Sequence, residues 1–282
     1  MRRAAPLALV ALFGADGFAA EPDPACADKS GFSLVHRTPA ACLRPLSTDR
    51  PDQTESPYTV DAGHVQIEAD VASAAFDDAG PISATTWSVA SVNAKVGLRN
   101  HVDLQLVLDS YVDARLSHDA SSTTDEASGI GDLTARIKIN AWGNDGGRTA
   151  LAVMPYVKLP LPESEIRNGR VEAGVIVPFA VALAERWGMS LMTEVDFVAP
   201  TAAGYETAWV NSISVSTDLT RRLGMYAELF TVAASGRPWR GQADAGFTLA
   251  FGESIQLDWG CNFGITESAP DFNPFLGLAA RF

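Results

Sequence analysis

Asn273-Pro274-Phe275-Leu276-Gly277-Leu278-Ala279-Ala280-Arg281-Phe282 closes the chain. In an extended strand Leu276, Leu278, Ala280 and Phe282 share one face, and Phe275, Gly277, Ala279 and Arg281 share the other. A period of two with one oily and one mixed face is the pattern of a half-buried strand. A closed barrel in lipid needs such a final strand, because the last strand must pair with the first to leave no open edge.

The other end of the chain points the same way. Arg2 and Arg3, the apolar run from Ala4 to Phe13 and the small residues Gly17-Phe18-Ala19-Ala20 read as a secretory signal peptide over 1–20. The longest later apolar run, Val175 to Ala184, is interrupted by Pro178 and is shorter than the roughly 20 residues of a spanning helix. The chain is therefore either a soluble exported protein or a membrane barrel. A formal charge of −13 argues against nucleic acid as a partner and against a polybasic membrane-surface protein. Cys26 and Cys42 lie in the N-terminal extension, in an oxidising compartment, where a disulfide between them is one of two open options. Cys261 reads as a small lipid-facing residue.

Residues 21–61 carry Pro22, Pro24, Pro39, Pro45, Pro51 and Pro57. Each lacks a backbone donor, so an irregular periplasmic N-terminal extension is expected there. From 62 to 282 one unit recurs, a strand of about ten residues followed by a turn. The strands fall near 63–74, 86–98, 102–114, 131–142, 148–159, 171–183, 187–198, 207–219, 222–233, 241–251, 254–265 and 273–282. Short connections, such as Arg99-Asn100-His101 and Thr220-Arg221, alternate with long ones, such as Ser117 to Ser128 and Pro160 to Gly169. The expected fold is all-β: an antiparallel transmembrane β-barrel of about 12 strands in the bacterial outer membrane, with short turns on one side and long loops on the other.

The strand faces fit lipid and lumen. Ile255, Leu257, Trp259, Cys261, Phe263 and Ile265 oppose Gln256, Asp258, Gly260, Asn262 and Gly264. A soluble barrel would invert that pattern, but about twelve strands enclose too wide a space for an apolar core to fill.

Leu46 to Val60, containing Thr48-Asp49-Arg50-Pro51-Asp52-Gln53-Thr54-Glu55-Ser56-Pro57, resembles the opening motif of the MetA-pathway of phenol degradation family of outer-membrane transporter barrels. Gly63 to Ala69 resembles that family's first strand, and Gly129 to Lys138 its Gly-Asp strand. Asp244 to Thr248, Gln256 to Asp258, Ile265 to Asp271 and the closing strand resemble its end. The resemblance covers about Leu46 to Phe282. It implies uptake of hydrophobic or aromatic compounds.

The candidate site is the lumen. Parity places Asp103, Asp109, Tyr111, Asp132, Arg136, Lys138, Tyr156, Lys158, Glu194, Asp196, Tyr226, Glu228 and Asp258 inside. The charges are either a hydrated wall that holds the barrel's shape or a cation-preferring eyelet. Neutralising Asp103, Asp109 and Glu194 together is expected to weaken that preference. The inward aromatics either make a greasy path or face lipid through a bulge. Thr48 to Pro57 either folds back as a plug, pairing Asp49, Arg50, Asp52 and Glu55 with lumen charges, or remains a periplasmic lead-in.

No cofactor, metal or catalytic group is expected. The expected partners are outer-membrane lipid, a small-molecule solute and the barrel-assembly machinery, which would grip Phe282. Passive transport is the leading functional reading. An outer-membrane lipid hydrolase using His64 near Ser91 or Ser212, and a structural barrel without transport, are the alternatives.

Overall fold

The computed structural model describes residues 26–118, 123–161, 166, 169–201 and 204–282, so the signal peptide expected over 1–20 lies outside them. Among the described residues thirteen strands follow one another: β1 (Val65–Asp78), β2 (Ile82–Arg99), β3 (Val102–His118), β4 (Thr123–Gly129), β5 (Leu133–Trp142), β6 (Thr149–Leu159) and β7 (Glu172–Ala184), then β8 (Trp187–Thr201), β9 (Gly204–Asp218), β10 (Leu223–Ala234), β11 (Arg240–Phe251), β12 (Ile255–Gly264) and β13 (Phe272–Arg281). All pair antiparallel, and β13 pairs with β1, so the sheet closes on itself. The closing seam runs to the chain's end, where the Phe282 N–H donates to the Val65 carbonyl at 2.8 Å.

The thirteen segments form a 12-strand barrel because β4 and β5 share one position beside β3. β5 pairs with Val102 to Leu108, and β4 pairs with Val112 to His118. Between them, the Gly131 N–H donates to the Asp109 carbonyl at 2.8 Å. A Cβ at Gly131 would meet the Asp109 side chain at 2.7 Å, so this close approach needs glycine. The connection expected over Ser117 to Ser128 is therefore mostly a β3–β4 hairpin, not a loop. Its outer face carries Asp113, Arg115 and Glu126, whereas lower on β3 the outer face carries Leu104, Leu106 and Leu108. Charge replaces oil where the hairpin rises out of the hydrocarbon.

Burial is inverted relative to a water-soluble protein. The fully buried large side chains include Lys138, Gln66, Gln105, Glu68, Asp103 and Asp258. The exposed large ones include Leu229, Trp259, Phe263, Ile265 and Phe272. Such a surface is stable only against hydrocarbon. Trp87, Trp187 and Trp209 are exposed on that outer surface, as expected of a belt at the membrane boundary. Among the described residues no helix is long and apolar enough to cross a membrane, so strands make the crossing.

Candidate functional site

The irregular N-terminal segment does not hang outside the barrel. Residues 26–45 form a cap over the short-turn mouth, pinned internally by a Cys26–Cys42 disulfide whose Cα atoms lie 5.2 Å apart. Lys29 pairs with Asp145 at 3.0 Å, and Arg44 bonds the Asn100 carbonyl and Asp145, both at 3.1 Å. Asn100 and Asp145 belong to two short turns, so the cap is fastened across them. From Leu46 the chain enters the lumen, turns about midway up, and returns to β1 by Asp61. Pro51 and Pro57 interrupt this strap, which forms neither helix nor strand and satisfies its backbone against the wall instead.

One wall, built from β1 to β5, holds the strap by charge. Asp49 forms ion pairs with Lys95 of β2 and, at 2.6 Å, with Lys138 of β5; Lys95 also pairs with Glu68 of β1. All four side chains are buried. The two ammonium groups beside Asp49 hold its carboxyl well below the usual range, outweighing burial. Arg136 pairs with Glu55. The strap's Val60 N–H donates to Asp103 at 2.9 Å, and Asn140 donates to the Pro57 carbonyl at 2.9 Å.

The opposite wall is acidic. The Gln53 N–H donates to Glu228 at 2.7 Å, its side-chain amide donates to Asp244 at 2.6 Å, and Thr54 bonds Ser212 at 2.6 Å and also Glu228. Asp52 enters this region. Burial pushes its carboxyl up to about 6, Asp49 and Asp244 push the same way, and a hydrogen bond with Ser214 opposes them. Glu228 and Tyr226 also lie within its electrostatic reach. A carboxyl held above its ordinary 3.8 keeps its proton better in the seated strap than in a released one. Its contribution to seating is full below pH 3.8 and is lost as pH rises through about 6. Conductance across planar bilayers is therefore expected to increase over that window, and Asp52→Asn is expected to flatten the profile.

The residues chosen from sequence fall into three groups. Asp49, Arg50, Glu55, Arg136, Lys138, Asp103, Glu228 and Asp258 meet at the strap. Tyr156 donates to Asp196 at 2.5 Å, with Glu194 beside them, and Lys158 pairs with Glu172 at 2.5 Å and approaches Asp132 at 3.9 Å. Asp109 lines a cavity with Asp70 and Ser91, and Tyr226 lines another with Asp52.

Tyr111 is the exception, since it is 47% exposed. It pairs with Val89, Val89 with Ala72, and Ala72 with Leu276 of the outer face. The β1–β13 register shifts between Asp70 and Ala72, and Ala90 of β2 takes φ 55°. Beyond this bulge the parity of β1 to β3 reverses and Tyr111 turns outward. Trp142 is exposed for the same reason, past a shift between Asn140 and Trp142.

Parity placed Tyr156 and Phe230 inside; the sequence reading missed Met154, Ile176, Met192 and Val210, which form an apolar inner patch with Phe230, Tyr156 and Val232 against it. The Glu55 N–H reaches the Met192 sulfur at 3.4 Å, so this patch backs the strap's tip. A signal was present on β8, where Met192 interrupts the polar inward run of Ser190, Glu194 and Asp196. His64 is tied elsewhere, its ring nitrogens 2.8 Å from the Thr38 carbonyl and 3.0 Å from the Phe282 carbonyl. Those contacts place it at the closing seam, apart from the serines considered for a hydrolase. Among the described residues no three His, Cys, Asp or Glu side chains are arranged to hold a metal ion.

An apolar exterior, a charged interior and a strap threaded through it define an outer-membrane barrel with an internally occupied lumen. The chain belongs to the MetA-pathway of phenol degradation family, whose sequence profile matches residues 48–282. That span begins at the strap and ends with β13. The fold is similar to that of an outer membrane channel from Pseudomonas putida F1, at TM-score 0.60 and 13% identity, over 84% of this chain and 100% of that one. The translocator domain of the autotransporter NalP from Neisseria meningitidis matches at TM-score 0.48 and 12% identity, covering 77% and 88%. The monoaromatic hydrocarbon channel CymD matches at TM-score 0.43 and 8% identity, covering 78% and 88%. No curated protein sequence matches the chain.

Proposed function

We propose that the protein is a passive outer-membrane channel for small solutes, with hydrophobic or aromatic compounds as the substrate class. The observation that carries the reading is a closed wall, oily outside and polar inside, that still encloses cavities on both sides of its strap. Membership of a phenol-degradation family supports the aromatic class, and the inner patch around Met192 and Phe230 would offer such a solute an apolar surface once the strap's tip, which it backs, moves away. Lipid is the partner of the exterior. The assembly machinery enters this reading through Phe282, whose ring remains exposed beside the seam.

The test is single-channel recording in planar bilayers together with uptake of labelled phenol by cells carrying or lacking the protein. Conductance with faster phenol uptake supports the reading; a non-conducting, uptake-neutral barrel overturns it. Acidic groups outnumber basic ones around the open lumen, so cations are expected to pass more readily than chloride. Asp109→Asn with Glu194→Gln is expected to reduce that preference. Asp103→Asn by itself is not. Asp103 is 0% exposed and serves as an anchor for the strap, out of an ion's reach. Reversal potentials in a salt gradient check both.

A further inference from the structure

Two cavities flank the strap. One, of about 110 Å³, lies between Ser47, Pro51 and Asp52 of the strap and Ala180, Ser190 and Tyr226 of the β7–β11 wall. The other, of about 220 Å³, lies between Asp49 and Glu55 and the wall residues Asp70, Ser91, Asp109 and Arg136. Among the described residues, Arg50 is the one that lines both.

Its guanidinium is seated across the barrel's closing seam. One nitrogen lies 2.7 Å from Asp70 of β1 and another 2.8 Å from Asp258 of β12. Asp70 and Asp258 both pair in register with Gly277 of the intervening β13. A Cβ at Gly277 would collide with the guanidinium, so the side chain lies flat on bare backbone. The Phe275 ring sits 5.8 Å from its central carbon and covers one flank.

The rest of the strap is tied by buried ion pairs and backbone bonds. Arg50 is different: a long flexible stem, partly hydrated, held between a buried partner, Asp258, and a partner still reached by water, Asp70. Exposed ion pairs are weaker than buried ones, so the Asp70 side is where this contact yields first.

We propose that Arg50 is the gate and selectivity residue of the lumen: its swing away from Asp70 and Asp258 joins the two chambers. The proposal rests on the channel reading. In the seated state the guanidinium also offsets the charge of Asp70 and Asp258 at the septum, so it weakens the attraction for cations there.

The test is single-channel conductance and reversal potential in potassium chloride, with heat-modifiable migration confirming that each variant is folded. Arg50→Gln is expected to raise conductance several-fold and to shift selectivity further toward potassium. Gly277→Ala, which displaces the guanidinium without removing it, is expected to raise conductance with little change in selectivity, and it carries the test should Arg50→Gln not fold. Asp49→Ala, which loosens the strap by another route, is the reference. If Asp49→Ala conducts well while Arg50→Gln and Gly277→Ala match the unmodified chain, the passage runs elsewhere and the gate is overturned, with the channel reading intact. If none of these chains conducts, the channel reading falls and the gate with it.

Discussion

Asp49→Ala is expected to unseat the strap and produce the largest rise in conductance of any single substitution in the chain. Lys138 is 0% exposed and would lose the carboxylate it contacts at 2.6 Å. Lys95, also buried, would keep only Glu68. Removing one partner of a buried ion pair leaves a charge uncompensated and costs about 3–5 kcal/mol. In the variant a seated strap would bear that cost; a withdrawn strap would avoid it, because water would reach both ammonium groups. Conductance should therefore rise, and Lys95 and Lys138 should become reactive toward amine-modifying reagents. Asp49→Asn, which keeps the shape and a hydrogen-bond acceptor, is expected to give an intermediate response. A fully closed Asp49→Ala channel with both lysines protected would show that backbone contacts alone retain the strap.

Leu229→Arg is expected to impair insertion into lipid vesicles. Leu229 lies midway along β10, is 52% exposed and alternates with the buried Glu228 and Phe230. A charged Arg facing hydrocarbon near the midplane of a barrel costs about 2–4 kcal/mol. Ser91→Arg places the same side chain in a lumen cavity and is expected to be tolerated. The urea concentration at which each variant unfolds from vesicles measures the contrast; equal midpoints would mean that the assigned outer face does not meet lipid.

The strands were legible because one chemical rule repeats along them. Lipid outside and water inside imprint a period of two, and most of the expected spans lie within a few residues of β1 to β13. Tyr111 shows where that rule runs out. The bulge that turns it outward passes through Val71, Ala90 and Ser110, none of them a glycine or proline to mark the break. The hairpin of β3 and β4 was hidden differently: Thr123 to Gly129 is polar on both faces, as befits a strand standing in water, and so reads as loop.

The strap was half legible. Its prolines announced irregular backbone, and its charges announced partners. Nothing local could say that Asp49 meets Lys95 and Lys138, because those contacts join distant parts of the chain and exist only once the wall has closed. Asp103 teaches the same lesson. Parity put it inside, but only the path of the strap shows that Val60 already occupies it.

The seam between β1 and β13 has a consequence for biogenesis. The strap is covalently continuous with β1, and Arg50 grips both sides of the seam. Its two carboxylate partners stand on either side of β13 and come together only once the terminal strands have paired. Docking of the loop at this point is therefore coupled to completion of the ring.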